Sequence, residues 1–207
     1  PWQGQKNSTI FVFGVMNFSK NILISKNWKA SSRKFAMPVM IFLNFLNKYM
    51  IPTIRILQEK RLIGKRLVMS ISEYRVGELW QSFMPEKKNI QNKLSDDLLS
   101  VSVYPSGYFT AFNPANEFDK WAAVEVSDIS TLPDGMEKMV IPEGLYAVFQ
   151  YKGLNTDRSV FQYIYGSWLP ASDFILDDRP HFEVLGAKYR NNAPESEEEI
   201  WIPVRKK

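Results

Sequence analysis

The hydrophobic positions of this chain say nearly the same thing twice. Val76, Leu79, Trp80, Phe83 and Met84 fall at i, i+3, i+4, i+7 and i+8, with Pro85 next. Phe161, Ile164, Tyr165, Trp168 and Leu169 repeat the spacing, with Pro170 next. This period predicts two amphipathic helices, each ended or kinked by its proline. Ser70 and Glu73 stand at capping-box spacing and put the first helix start near residue 71, while Asn155, Thr156 and Asp157 offer capping oxygens to the second. Alternating, β-branched runs surround both helices. Residues 54–70 read as strand with Gly64 as a bulge or bend, and 98–104 and 121–126 as two more strands. Residues 127–135 form a link. Beyond it, 139–151 reads as strand interrupted at Pro142 to Gly144, 181–185 as a short strand and 191–199 as a polar, acidic loop. Residues 200–204 form the last strand, where Pro203 marks an edge or a late ladder position.

The order β–α–β–β thus occurs twice, over about 54–126 and 137–205, and Trp121 with Val124 is echoed by Trp201 with Val204. The predicted class is α+β: two pseudo-symmetric βαββ repeats forming a mostly antiparallel sheet, with two helices around a ligand cleft. No low-complexity linker parts the halves, so 50–207 is taken as one domain.

Charge separates the remainder. Residues 1–49 carry six Lys and one Arg and no acid, which leaves 19 basic against 22 acidic residues from 50 onward. The overall pI of about 9.1 is therefore not a property of the folding part, and a basic nucleic-acid surface is not indicated there. The leader lacks helical or alternating patterning, and its most apolar run, 35–46, is too short to span a bilayer. It reads as a non-functional extension or translated upstream sequence, without a helix-turn-helix. No direct nucleic-acid contact and no membrane association is expected. With no cysteine, disulfides and thiolate chemistry are excluded; a reducing, cytoplasmic setting fits.

Four segments resemble a known family: Ile141 to Phe149 (IPEGLYAVF), Trp168 to Pro170 (WLP), Asp178 to Glu183 (DRPHFE) and Glu199 to Val204 (EIWIPV). Together they are similar to the GyrI-like family over roughly 53–205. That family supplies the effector-binding domains of AraC-type and MerR-type bacterial transcription regulators, and includes stand-alone members, one of them gyrase-inhibitory. The resemblance implies twin βαββ units around a hydrophobic cleft, and a glutamate that meets cationic or polar ligands; by motif that glutamate is Glu183.

By spacing alone a strand glutamate usually faces solvent, and helix-spaced rings usually face the core. The resemblance moves Glu183 into the cleft, and the aromatic share of 14% exceeds what a small core needs. Phe83 and Trp201 are assigned to the core. Trp80, Trp121, Tyr146, Phe149, Tyr165 and Trp168 are the expected ligand-facing rings, able to hold a cation through their faces. His181 is the one histidine, a poor basis for zinc or for a catalytic triad, and no cofactor or metal is expected. The leading expectation is a receptor or sequestering domain for amphipathic, often cationic molecules. One alternative is a hydrolase of strained electrophiles with Glu183 as base and Tyr146 or Tyr165 as hydroxyl partner. Another is a partner-binding protein for DNA gyrase or another protein, in which acids 195–199 mimic nucleic-acid charge.

Overall fold

Residues 51–207 are described by the structure, a computed structural model; the extension read at 1–49 lies outside the described residues. The first half comprises β1 (Thr53–Leu57), β2 (Lys60–Ser70), α1 (Val76–Phe83), β3 (Leu98–Val103) and β4 (Glu117–Glu125). The second comprises β5 (Glu137–Ile141), β6 (Gly144–Lys152), α2 (Ser159–Tyr163), a π-helical turn (Ile164–Trp168), α3 (Leu169–Ala171), β7 (Phe174–Leu176), β8 (His181–Leu185) and β9 (Glu197–Lys206). The α+β class and the internal repeat are those of the sequence, but each half opens with two strands: the run read as one strand over 54–70 is β1 and β2, parted at Gln58 and Glu59.

Across the sheet the strands run β1-β6-β9-β8-β3-β4-β2-β5, all neighbours antiparallel, with β7 beside β9. The order is two-fold symmetric. At its centre Val101 lies opposite Phe182, and Ser100 opposite Glu183 is matched by Ser102 opposite His181. Each half gives its first strand to the other, β1 to β6 and β5 to β2. Yet only two residues join β1 to β2, and two join β5 to β6, although these partners stand at opposite ends of the order. Links that short require the sheet to curl until its ends approach. Accordingly Leu57 and Ile141, from the two end strands, share one cluster with Val101, Phe182, Trp121 and Trp201. The opposite face carries the helices over two separate clusters, one around Leu79, Phe83 and Ile63, the other around Phe149, Ile164 and Ile202.

Several local readings are corrected. The Ser70 hydroxyl does accept the Glu73 N–H at 3.0 Å, but this bond closes a turn. Ser72 is held by its N–H and hydroxyl on the Pro114 carbonyl, at 2.9 and 3.1 Å, and α1 begins only at Val76. Gly64 is no bulge: β2 runs through it in unbroken register, Gly64 opposite Ala123. Pro170 does not stop the second helix but lies in α3, after a widened turn placed where its ring would press on the Gly166 carbonyl. Pro203 is not on an edge, since β9 has neighbours on both sides; it sits where the neighbour changes from β8 to β7. The acidic loop ends at Ser196, and Glu197 to Glu199 open β9. Among the described residues no helix is long and apolar enough to cross a membrane.

Candidate functional site

Between the two helix-covered clusters, the middle of the sheet carries a polar strip. β3 contributes Ser100 and Ser102, β4 Lys120, β8 His181 and Glu183, and β9 Glu198, all on the helix side by strand alternation. Ser100, Ser102, Lys120 and His181 are buried. Lys120 shares its face with Phe118, Ala122 and Val124, so its ammonium has little water and must find protein partners. It donates to Ser102 Oγ at 2.9 Å and stands 3.8 Å from Glu183 Oε2. The Glu183 side chain keeps 23% of its exposure, against 3% for Lys120, so the acid is the member of the pair that a ligand can reach.

Rings from both halves wall this strip. The Tyr165 hydroxyl meets His181 Nδ1 at 2.9 Å, and the π-helical turn is the element that carries Tyr165 there. Tyr104, just past the end of β3, sets its ring edge-on to His181 at 5.0 Å. Phe109, from the loop between β3 and β4, stacks on both Tyr165 (5.4 Å) and His181 (5.6 Å). Ahead of the two helices, Arg158 lies over the Tyr74 ring at 4.7 Å, tying together equivalent segments of the halves. A cavity of about 260 Å³ lies away from the strip beside Lys65, Leu79 and Glu137, and one of about 280 Å³ lies against the wall ring Tyr104, between Val68, Val103 and Phe118. Over the strip itself Phe109 covers Tyr165 and His181. Phe109 nonetheless stays 37% exposed, which makes it the ring that can leave with least loss of burial. Phe109→Ala is expected to open the strip and tighten binding of a bulky aromatic cation severalfold, with little loss of stability, as isothermal titration calorimetry and thermal melting would show. Weaker binding in that variant would mean Phe109 is a contact and not a plug.

Burial sets the protonation states. His181 is lowered to about 3, by burial first and by Lys120 second, so its imidazole is neutral at physiological pH. Burial raises the Tyr104 and Tyr165 hydroxyls well above their ordinary value and keeps both as phenols. Glu198 is raised to about 7, by burial and then by Glu183, against the opposing pull of Lys120. In the strip, then, a neutral imidazole and two phenols can hydrogen-bond beside the Lys120–Glu183 pair, and Glu198 gains its charge above about pH 7.

The structure separates the residues expected to meet ligand. Glu183 and Tyr165 are brought together beside His181. Trp80 and Trp168 lie on the helix side but pack on the clusters, Trp80 against Phe83 at 5.9 Å and Trp168 against Phe149 at 5.1 Å. Phe149 is wholly buried under α2. Trp121 and Tyr146 are on the opposite face of the sheet, in the cluster its curl encloses. Tyr146 donates to the Pro180 carbonyl at 3.0 Å beneath the Arg179 guanidinium, so it is no hydroxyl partner for Glu183. Phe83 and Trp201 are core, as assigned. Sequence reading passed over Lys120, Tyr104 and Phe109, and set Glu198 in an acidic loop. For Lys120 a signal existed: the alternation Phe118, Lys120, Ala122, Val124 sets one cation on an apolar face.

Twin units sharing one antiparallel sheet, each with a helix on the same face, have the fold of GyrI-like effector-binding domains. The chain belongs to the Cass2 family of integron-associated effector binding proteins, whose model matches residues 53–204. The transcriptional regulator BrlR of Pseudomonas aeruginosa is 29% identical over 131 residues, 62% of this chain and 46% of that protein. The chain thus spans about half the length of the curated relative it matches. Among solved structures, SAV2435 bound to tetraphenylphosphonium is similar with a TM-score of 0.58 and 14% identity, over 74% of this chain and 93% of that one. The integron cassette protein Cass2 of Vibrio cholerae gives 0.52 and 16%, over 74% and 95%. At such identities the structural likeness establishes the fold. The family itself is one of effector-binding domains, related to the ligand-binding domains of regulators.

Proposed function

We propose that residues 51–207 bind an amphipathic organic cation on the strip between the helices and act as a receptor or sequestering domain. The observation that carries this reading is Glu183: a partly exposed carboxylate at the sheet's two-fold centre, beside Lys120 and on the same strand face as His181, around which Tyr104, Phe109 and Tyr165 gather. A carboxylate among ring faces favours a cation that is also apolar, because charge and ring quadrupoles attract together while the apolar groups leave water. The tetraphenylphosphonium held by SAV2435, which shares the fold, is a cation of that kind. No step of bond making is needed for this role, and DNA or a partner chain need not touch these residues.

Calorimetric titration with tetraphenylphosphonium and with uncharged triphenylphosphine oxide tests the reading. The cation is expected to bind at least about tenfold more tightly, a difference of about 1.4 kcal/mol. Equal affinities, or preference for the neutral compound, would refute it.

A further inference from the structure

Of the three consecutive acids that open β9, two are engaged on the face away from the helices. Glu197 pairs with Lys152 at 3.3 Å and Lys188 at 2.9 Å. Glu199 accepts from Gln150 at 2.6 Å and from the Trp201 indole at 3.0 Å, with Arg55 3.7 Å away. Glu198, between them, points to the helix side. It is half-buried, and among the described residues it has no hydrogen bond or ion pair. Ile200 lies opposite Glu183, so Glu198 is Glu183's diagonal neighbour across the β8–β9 ladder, at roughly 7 Å by strand geometry. A half-buried acid without a protein partner depends on water, a proton or a bound cation to compensate its charge.

We infer that Glu198 is a second ligand-facing carboxylate, which sets the net charge of the strip, so that a bound cation takes the place of a proton. This rests on the cation-binding reading above. Lys120 is held beside Glu183, and the two charges largely offset one another; the balance then depends on Glu198. The groups facing Glu198 from the surrounding elements are Glu183 on β8, Lys120 on β4, Tyr151 opposite it on β6, and Tyr189 in the loop after β8. Both tyrosines are raised to about 12 and do not titrate near neutrality. His181, lowered to about 3, does not either. Glu198, raised to about 7, is left to change charge there. A cation binds the ionised form, so below pH 7 binding releases the carboxyl proton to buffer, and apparent affinity rises with pH until ionisation is complete.

The test is calorimetric titration of the full chain with tetraphenylphosphonium, a cation that cannot itself titrate, at pH 6, 7 and 8 in buffers of different ionisation heat. Affinity is expected to rise about tenfold from pH 6 to pH 8, following the ionised fraction of a group titrating near 7. Close to one proton should leave per cation at pH 6, and almost none at pH 8. Glu198→Gln should abolish both the slope and the release. Affinity flat with pH, or a slope that survives in Glu198→Gln, overturns the inference. If that variant does not fold, the Glu198 carboxyl carbon resonance in ¹³C-labelled wild type decides: a midpoint near 7 that falls when cation is added supports it, and an unmoved midpoint overturns it. Binding that Glu183→Gln weakens, but that is flat with pH, overturns this inference alone. Absence of binding at every pH overturns the cation reading and this inference together.

Discussion

Glu183→Gln is expected to weaken tetraphenylphosphonium binding between tenfold and a hundredfold, about 1.4–2.8 kcal/mol. Two unit charges about 5 Å apart at a partly wet protein site interact by roughly 3 kcal/mol, and residual exposure of Glu183 reduces that. The variant keeps the side chain's shape but leaves Lys120 with Ser102 as its remaining partner, so the strip loses an acid while keeping its buried cation. The converse substitution separates these effects. Lys120→Met removes the buried cation and keeps an apolar stem of similar length, so it should tighten binding where Glu183→Gln weakens it. Titration of both variants measures this. Opposite shifts are expected; parallel shifts would mean that both substitutions act through the fold and not through charge.

Gly64→Ala is expected to destabilise the domain by about 2–4 kcal/mol, a fall in Tm of roughly 10 °C. A methyl at Gly64 would lie 2.7 Å from Ala123 Cα and Cβ, with the Ala122 carbonyl oxygen closer still. These are backbone and core atoms of the paired strand β4, with no flexible end to move aside. Gly64 belongs to the side of β2 that faces the enclosed cluster, next to Leu62, where the curled sheet leaves no room for a side chain. Gly77 offers the control: a methyl there meets nothing within 4 Å, and it lies in α1, where alanine is the better helix former. Gly77→Ala should therefore be neutral or stabilising by up to about 1 kcal/mol. Thermal or denaturant melts of the two variants give the comparison. A loss below about 0.5 kcal/mol at Gly64 would mean that β2 and β4 are not held in this register.

The strands and helices were legible where one physical rule governed them. The helical stripe through Leu79 and Phe83 and the β-branched alternation of Leu98 to Val103 each bury one face, so period alone identified them. The doubled pattern gave the twin units and, through the motif around Glu183, the acid at their junction. What failed was the choice of face. In an open sheet one side is wet, and aromatic residues declare the covered one. Here the sheet curls and both sides are dry, so Trp121 and Tyr146 gave no sign of lying opposite Glu183. The strip was hidden for a related reason. Lys120 and Glu198 are charged residues, and charge in a sequence reads as solvent exposure or loop. Glu198 was submerged in a run of acids whose neighbours lie on the other face and pair with Lys152, Lys188 and Arg55. Phe109 sits in a loop without periodicity, and its partners Tyr165 and His181 lie more than fifty residues away in sequence, so no local pattern could announce the stack.

The central claim is that an organic cation occupies the strip against Glu183. A crystal structure of the full chain with tetraphenylphosphonium tests it most directly. The expected result is the phosphonium centre between the helices within roughly 6 Å of the Tyr165 ring and facing the Glu183 carboxylate, with Phe109 displaced. A cation found instead in the surface cavity beside Lys65 and Glu137, with Phe109 still stacked on His181, would contradict it.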